Sequence, residues 1–504
     1  MKDVFYITTP IYYASSPPHV GSAYTTVVAD VIARWHRLQG RRVHFLTGVD
    51  EHGARQLKAA EEAGLGPQEY VDSVATNYQE LWRTLLISND DFIRTTEERH
   101  KAGVAPFMEL LQKAGDIYSA RYEGWYCVRC EEFKTETDVV DGNCIVHGSP
   151  VEWLAEDNHF FRLSKYTDAL IELYESDPGF LRPKRAFNEM YALLKQGLID
   201  LPVSRRISWG IPFPGDPDQV VYVWVEALTN YMTAIGYGTD NERFEKIWPA
   251  DVHLMAKEIV RFHAVIWPAM LMSAGLPLPK HVYAHGWLLA GGEKISKSGR
   301  NITQIKPDEL VDMYGVDAYR FHFTRGIAFG GDDANFSLED MHARYNAELA
   351  NDLGNLASRT LTMIERYCGG VVPAPEETED PETKLRDLIG RAGPSADALI
   401  SDLKVTEAIG EIWEIVRHAN RYLVEREPWK LARDDANRSL VAGVLSVTAE
   451  ALAALAGLLA AVMPGACREL WSRLGYEGEP RLDPPSPAGN RVRTGDPLFP
   501  RLDA

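Results

Sequence analysis

Val4-Phe5-Tyr6-Ile7-Thr8, a loop Pro10-Ile11-Tyr12-Tyr13-Ala14-Ser15-Ser16-Pro17-Pro18, then His19-Val20-Gly21-Ser22 leading into a helix that stops at Gly40: this stretch decides the fold. Tyr24, Val27, Val28, Val31, Ile32, Trp35 and Leu38 keep the three, four, seven spacing of one helix face. The order is therefore strand, loop, helix. A helix N-terminus offers unpaired N–H groups and a positive dipole end to phosphates, and Gly21 lets a nucleotide approach the backbone with no Cβ in the way. His19 adds a hydrogen-bonding imidazole. Alone, a His-x-Gly turn is also what an ordinary βα corner looks like.

A second stretch narrows the choice. Gly291-Gly292-Glu293-Lys294-Ile295-Ser296-Lys297-Ser298 is a glycine-fed loop with two lysines and two serines, suited to gripping a polyphosphate as charge develops on it. Between the two, Arg42 to Gly53 reads as an apolar strand ending in Asp50-Glu51-His52-Gly53. In an open parallel sheet ligands bind at the carboxyl ends of strands, where Asp50 stands as a partner for a substrate ammonium or as a helix N-cap.

Cys127-Val128-Arg129-Cys130 and Cys144-Ile145-Val146-His147, thirteen residues apart, form a CxxC…CxxH pattern. Three thiolates and one imidazole at paired spacing close a tetrahedron around zinc and leave no open coordination position, so the expected metal is structural.

His19-Val20-Gly21-Ser22 and Lys294-Ile295-Ser296-Lys297-Ser298 together resemble the two signatures of class I aminoacyl-tRNA synthetases, and the residues around them resemble the methionyl-tRNA synthetase family from Ile7 to Trp429. The resemblance implies an α/β, Rossmann-type catalytic domain with an inserted zinc-knuckle connective domain, followed by an α-helical anticodon-binding bundle. The expected segments are 1–116 and 223–345 for the two catalytic halves, 117–222 for the insertion, 346–475 for the bundle and 476–504 for a tail. It implies ATP and its Mg2+ at His19, Gly21, Ser22, His285, Gly286, Lys294, Ser296, Lys297 and Ser298, with His19, Lys294 and Lys297 stabilising the transition state. Asp50 meets the methionine ammonium, and Arg205 lies near the carboxylate or Asp50. Ile11, Tyr13, Trp224, Ala227, Leu228, Tyr231, Ile259 and His263 line the side-chain pocket. A thioether accepts hydrogen bonds poorly, so selection rests on shape, with one phenol or imidazole donor to orient it. In the bundle, Asn355 and Arg359, four apart on one face, hydrogen-bond anticodon bases and Trp429 stacks on one.

Three positions depart from the family pattern: Ser22 replaces a second histidine, Ala256-Lys257-Glu258-Ile259 replaces Gly-Lys-Asp-Ile, and Gly299-Arg300-Asn301 shifts a glycine. They leave open a paralogue with another amino acid or acceptor, or a catalytically weak tRNA-binding regulator.

Bulk properties fit this outline. The chain has 504 residues, 45% hydrophobic and 25% charged, enough for several domains. Its net charge of −19 argues against non-specific nucleic-acid binding as the main role but allows RNA on local basic faces. The longest apolar run, Ala451 to Met463, is thirteen residues and too short to span a bilayer. With no signal-peptide pattern, and five cysteines of which three cluster with a histidine, the expectation is a cytoplasmic protein without a membrane partner. The tail leaves no room for a further C-terminal module, so a monomer is expected. Helical sequence is expected from Ala54 to about Ala114, then at Asn346–Tyr367, Pro381–Leu403, Lys404–Arg426 and Ser439–Met463.

Overall fold

A computed structural model describes residues 4–129, 132–134, 136–146, 148–290, 293–294, 306–327, 329–374 and 380–503. Contacts divide it into two units: residues 1–29, 41–83 and 87–287, and residues 30–40, 84–86 and 288–504.

In the first unit, among the described residues, β1 (Val4–Tyr13), β2 (Arg42–Asp50), β3 (Asp91–Arg94), β4 (Leu181–Arg182), β5 (Val252–Ala256) and β6 (His281–His285) form a parallel sheet in the order β3-β2-β1-β5-β6-β4. Helix α1 (Val20–Leu38) follows β1 as expected. The strand order reverses between β1 and β5, and a crevice at that switch point is where such sheets bind ligands. The register of β1 on β2 slips between Thr8 and Ile11, a bulge of the kind that re-aims side chains beside active sites.

Two strands depart from expectation. The sequence reading ran helix through to Ala114, whereas β3 interrupts it, pairing Leu46 with Asp91 through Val49 with Arg94. Four residues carry too little periodicity to announce themselves, and what fixes them is tertiary. Asp90 accepts the Phe45 N–H at 2.7 Å, and a Cβ at Gly48 would stand 2.1 Å from the Ile93 carbonyl oxygen. β4 is shorter still and is held by pairing Leu181 with Val282.

Within the segment expected to be inserted, Ile117–Cys127 and Glu152–Phe161 pair antiparallel from Ile117↔Phe161 to Tyr126↔Glu152, flanked by Leu201–Pro202 and Glu132–Lys134. The chain returns through Asp216–Val221 into the buried helix α3 (Val223–Thr233), which packs on α2 (Glu98–Lys113) so closely that a Cβ at Gly103 would stand 2.4 Å from Thr233 Cγ2.

Further along the second unit, Leu288–Ala290 pairs with Glu293–Lys294 and with Ala334–Phe336, a short strand that comes before the first helix expected there, Asn346–Tyr367. Helical structure then runs from Leu338 to Cys368, widening to a π-helix over Tyr345–Gly354 before α4 (Asn355–Cys368). α5 (Asp380–Ser401), α6 (Val405–Arg426), α7 (Arg438–Leu458) and α8 (Pro464–Arg473) complete the bundle. α7 ends five residues before the expected Met463. With its lead-in it gives a 24-residue helical stretch containing an 18-residue window of mean hydropathy 1.8, long enough by composition to cross a bilayer, yet 83% of that window is buried in the protein. Arg320 is fully buried, donating to the carbonyls of Leu85, Ala461 and Val462 and pairing with Asp30 at 2.7 Å. Removing one partner of such a pair costs about 3–5 kcal/mol. The tail is extended and packs back: Asn346 exchanges amide hydrogen bonds with Leu502, and Tyr345 donates to the Pro500 carbonyl and packs on Phe499.

Candidate functional site

At the N-terminus of α1, His19 is folded over Gly21. Its Nδ1 accepts the Gly21 N–H at 3.0 Å, and a Cβ on Gly21 would lie 2.9 Å from its Cε1. A side chain at position 21 would therefore push the imidazole from this seat. Ser22, buried, accepts the His19 N–H at 3.1 Å and donates to the His19 carbonyl at 2.8 Å. Its hydroxyl therefore acts as a local cap rather than reaching outward as a longer imidazole would.

One turn on, Thr25 meets His285 Nε2 at 2.8 Å, while His285 Nδ1 bonds the Gly286 carbonyl at 2.7 Å. A carbonyl only accepts, so Nδ1 carries the proton and Thr25 donates to Nε2. Burial lowers the His285 pKa and keeps the ring neutral. The adjoining Trp287 indole donates to Glu258 at 2.6 Å and lies under the Lys257 ammonium at 4.1 Å. The carboxylate that departs from the family's aspartate is thus engaged across the ends of β5 and β6. Lys294 pairs in backbone register with Leu289. Ser296, Lys297 and Ser298 lie outside the described residues.

The loop after β2 sends consecutive carboxylates to different tasks. Asp50 is buried at the strand end, its carbonyl accepting from Ala14 and from the Gln56 amide. Glu51 is fully buried and bonds Arg94 at 2.7 Å and the Thr96 hydroxyl; burial raises its pKa against the lowering pull of Thr96 and Arg94. His52 turns onto Glu226 of α3.

The pocket residues converge from four elements. Ile11 and Tyr13 stand at the end of β1. Trp224, Ala227, Leu228 and Tyr231 lie along α3, Ile259 sits in the turn Lys257–Ile259, and His263 in the π-helix Phe262–Ile266. Trp224 stacks on Phe262 with centroids 3.7 Å apart and meets the Tyr13 edge at 6.0 Å. Deeper in, the Tyr231 hydroxyl and His263 Nε2 are 2.7 Å apart, and His263 Nδ1 is 2.9 Å from the Ile259 carbonyl. That carbonyl forces the proton onto Nδ1, so Nε2 accepts the Tyr231 proton. Burial lowers the His263 pKa to about 4 and raises that of Tyr231. Both expected donors are thereby committed to protein partners, leaving shape and apolar contact to select a side chain. Sequence reasoning missed Phe262 and Glu226. The signal for the second was available, a lone carboxylate inside an apolar helix.

Arg205 is buried with its guanidinium 4.0 Å above the Tyr126 ring and 3.4 Å from Glu156. With His52, Trp209, Tyr222 and others it lines a small pocket. In the insertion, Cys127 and Cys144 are fully buried in a small core with Val151, flanked by Trp125 and Val139. Cys130 and His147 lie outside the described residues, and among the described residues no group of three or more metal-ligating side chains gathers.

In the second unit, Asn355 is exposed and Arg359 half-buried on α4, with the Arg359 guanidinium 5.0 Å above the ring of Trp429. The three expected base-reading residues are split between α4 and the turn Pro428–Leu431, and folding joins two of them directly.

The family model described as "tRNA synthetases class I (M)" matches residues 5–144 and 134–361. Methionine–tRNA ligase of Streptomyces coelicolor is 47% identical over 99% of this chain and 97% of its own length, and that of Caldanaerobacter subterraneus 48% over 100% and 80%. Methionyl-tRNA synthetase of Mycobacterium tuberculosis in complex with methionyl-adenylate superposes with a TM-score of 0.95 at 39% identity, covering 99% of this chain and all of that one. The free form of the Mycobacterium enzyme gives 0.88 at 36%, covering 100% and 99%.

Proposed function

This chain belongs to the methionyl family of class I tRNA synthetases, and from that premise we infer how its residues divide the work. The activity is methionine–tRNA ligation. ATP activates L-methionine to methionyl-adenylate, and the methionyl group passes to the 3′-terminal adenosine of methionine tRNA for protein synthesis. The observation that carries it is likeness along essentially the whole chain to methionine–tRNA ligases, including one solved with methionyl-adenylate.

In the first step a methionine carboxylate oxygen attacks the α-phosphorus and the bond to the β-phosphate breaks, releasing pyrophosphate. Little proton chemistry is needed, so catalysis rests on positioning and on stabilising charge. We assign His19 to the phosphates at the α1 N-terminus, supported by the ring's fixed seat on Gly21, with Gly286 and His285 bordering the nucleotide. Lys294, Ser296, Lys297 and Ser298 grip the polyphosphate, whose Mg2+ neutralises part of its charge. Ser22 serves this site by capping the helix that presents His19. Asp50 pairs with the ammonium. The apolar wall of Ile11, Tyr13, Trp224, Ala227, Leu228 and Ile259 holds the side chain over a Tyr231–His263 floor. Asn355, Arg359 and Trp429 read the anticodon, a role supported by an exposed amide beside a cation stacked on an indole, surfaces on which unstacked bases lie well.

Cys127, Cys130, Cys144 and His147 hold one structural zinc, a reading supported by two of these thiols sharing one small buried core. Elemental analysis giving one zinc per chain, lost in Cys144→Ser, is the expected result, and a metal-free folded protein would refute it. We further propose a cytoplasmic monomer, which light scattering near 56.5 kDa would bear out. The reaction assignment is tested by Lys297→Ala. Adenylate formation should fall by about three orders of magnitude or more with methionine affinity little changed. A near-normal rate of ATP–pyrophosphate exchange would remove Lys297 from the mechanism.

A further inference from the structure

The first unit holds a buried cluster that the mechanism above does not use. Glu226 on α3 is fully buried, and each of its oxygens meets a histidine from a different element: Oε1 with His52 Nδ1 at 3.0 Å, and Oε2 with His100 Nε2 at 2.9 Å. His100, on α2 and fully buried, reaches back through Nδ1 to the Thr233 hydroxyl at the end of α3, 2.8 Å away. An ionised carboxylate only accepts, so both facing nitrogens are donors. Burial pushes the Glu226 pKa up, but His52 and His100 pull harder and hold it below the ordinary value, so the carboxylate is charged.

The cluster's position gives it meaning. His52 lies two residues beyond Asp50, on the loop that Trp209 braces by donating to the Glu51 carbonyl at 2.6 Å. Glu226 immediately precedes Ala227 and lies one turn before Tyr231, on the helix that walls the side-chain pocket. One bond thus joins the element carrying the ammonium partner to the element carrying the side-chain pocket, across 174 residues of sequence, and the second, from His100, ties the same carboxylate to α2. A buried carboxylate is costly unless fully hydrogen-bonded, and a fully bonded one has a single arrangement of its partners.

We propose that Glu226 is a positioning residue for methionine: through His52 it fixes the distance between Asp50 and the α3 pocket wall, so that one amino acid's ammonium and side chain are met together. The inference rests on the reading of Asp50 and α3 as the methionine site. It predicts a signature that packing alone does not produce. His52→Asn keeps an N–H near the Nδ1 position, whereas His52→Leu keeps apolar bulk without a donor.

The test is steady-state ATP–pyrophosphate exchange on the full chain for His52→Leu, His52→Asn and Glu226→Gln, with thermal unfolding alongside. The expected result is a methionine KM raised about tenfold or more in His52→Leu, restored to within about threefold of the parent in His52→Asn, and raised in Glu226→Gln, with the KM for ATP within twofold throughout. If Glu226→Gln fails to fold, the two His52 variants decide. Leucine serving as well as asparagine, asparagine failing to restore, or ATP and methionine KM values rising together would each overturn the proposal. A parent without methionine-dependent exchange would instead overturn the site reading beneath it.

Discussion

On the proposed reading, the methionine pocket and the Asn355–Trp429 face solve recognition in opposite ways. In the pocket, Tyr231 and His263 are buried and bonded to each other, and His263 donates to the Ile259 carbonyl. On α4, Asn355 is exposed and Arg359 lies half-buried over Trp429. A small amino acid without strong acceptors on its side chain is best chosen by a finished cavity whose polar atoms are already satisfied. A base offers donors, acceptors and a π-face, and is best met by polar groups still facing water. The difference teaches that buried aromatics and half-buried ones on this chain suit different physical work, although in sequence both are an aromatic near a helix.

Four predictions press on that contrast. The largest effect belongs to Asp50→Asn: if a buried carboxylate anchors the ammonium, methionine-dependent exchange should fall by about 10²- to 10³-fold, the scale of breaking a buried ion pair. A loss under tenfold would remove Asp50 from the first rank of contacts. Next is Trp429→Ala, which should lower kcat/KM for tRNA charging by about 10- to 100-fold, the scale of one lost base stack, while exchange without tRNA stays within twofold. A parallel fall in both would erase the distinction between the two regions.

Smaller again is Gly21→Ala. The new Cβ would meet the His19 ring at 2.9 Å, and since that half-buried ring can swing away, exchange should drop about tenfold with the unfolding temperature nearly unchanged. Unfolding at markedly lower temperature would point to backbone strain instead.

For activity near neutral pH the smallest effect is that of His263, which shows instead in the pH dependence of stability. His263 has its pKa lowered from an ordinary 6.5 to about 4 by burial. Its neutral form contributes stability fully above pH 6.5, and the contribution is lost as pH falls toward 4, reaching about 3 kcal/mol. Denaturant titrations should therefore show a shallower loss of stability between pH 7 and 4.5 in His263→Gln than in the parent. Above pH 5.5 the methionine KM should not register a His263 ionisation.

What was legible in the sequence follows the same physics. The strand–loop–helix opening and the long bundle helices carry their own periodicity and stood where the spacing put them. β3 and β4 are two to four residues long and exist because neighbouring strands pair with them, so no local pattern marks them. α7 looked too short to span a membrane by its unbroken apolar run, but a helix tolerates the few polar residues that interrupt it, and burial in the bundle gives its apolar surface another explanation. The pocket residues were proposed through resemblance. Their wiring was not, because the groups that complete it, Tyr231 for His263 and Thr25 for His285, come from 32 and 260 residues away and are brought up by folding. Ser22 was the least legible: its meaning lies in two bonds to the backbone of His19.

The most direct measurement is ATP–pyrophosphate exchange with each of the twenty amino acids, with and without tRNA. A pocket already complete in the protein predicts strong exchange with methionine alone, at a rate that tRNA does not alter. Exchange that requires tRNA, or that favours another amino acid, would contradict the account.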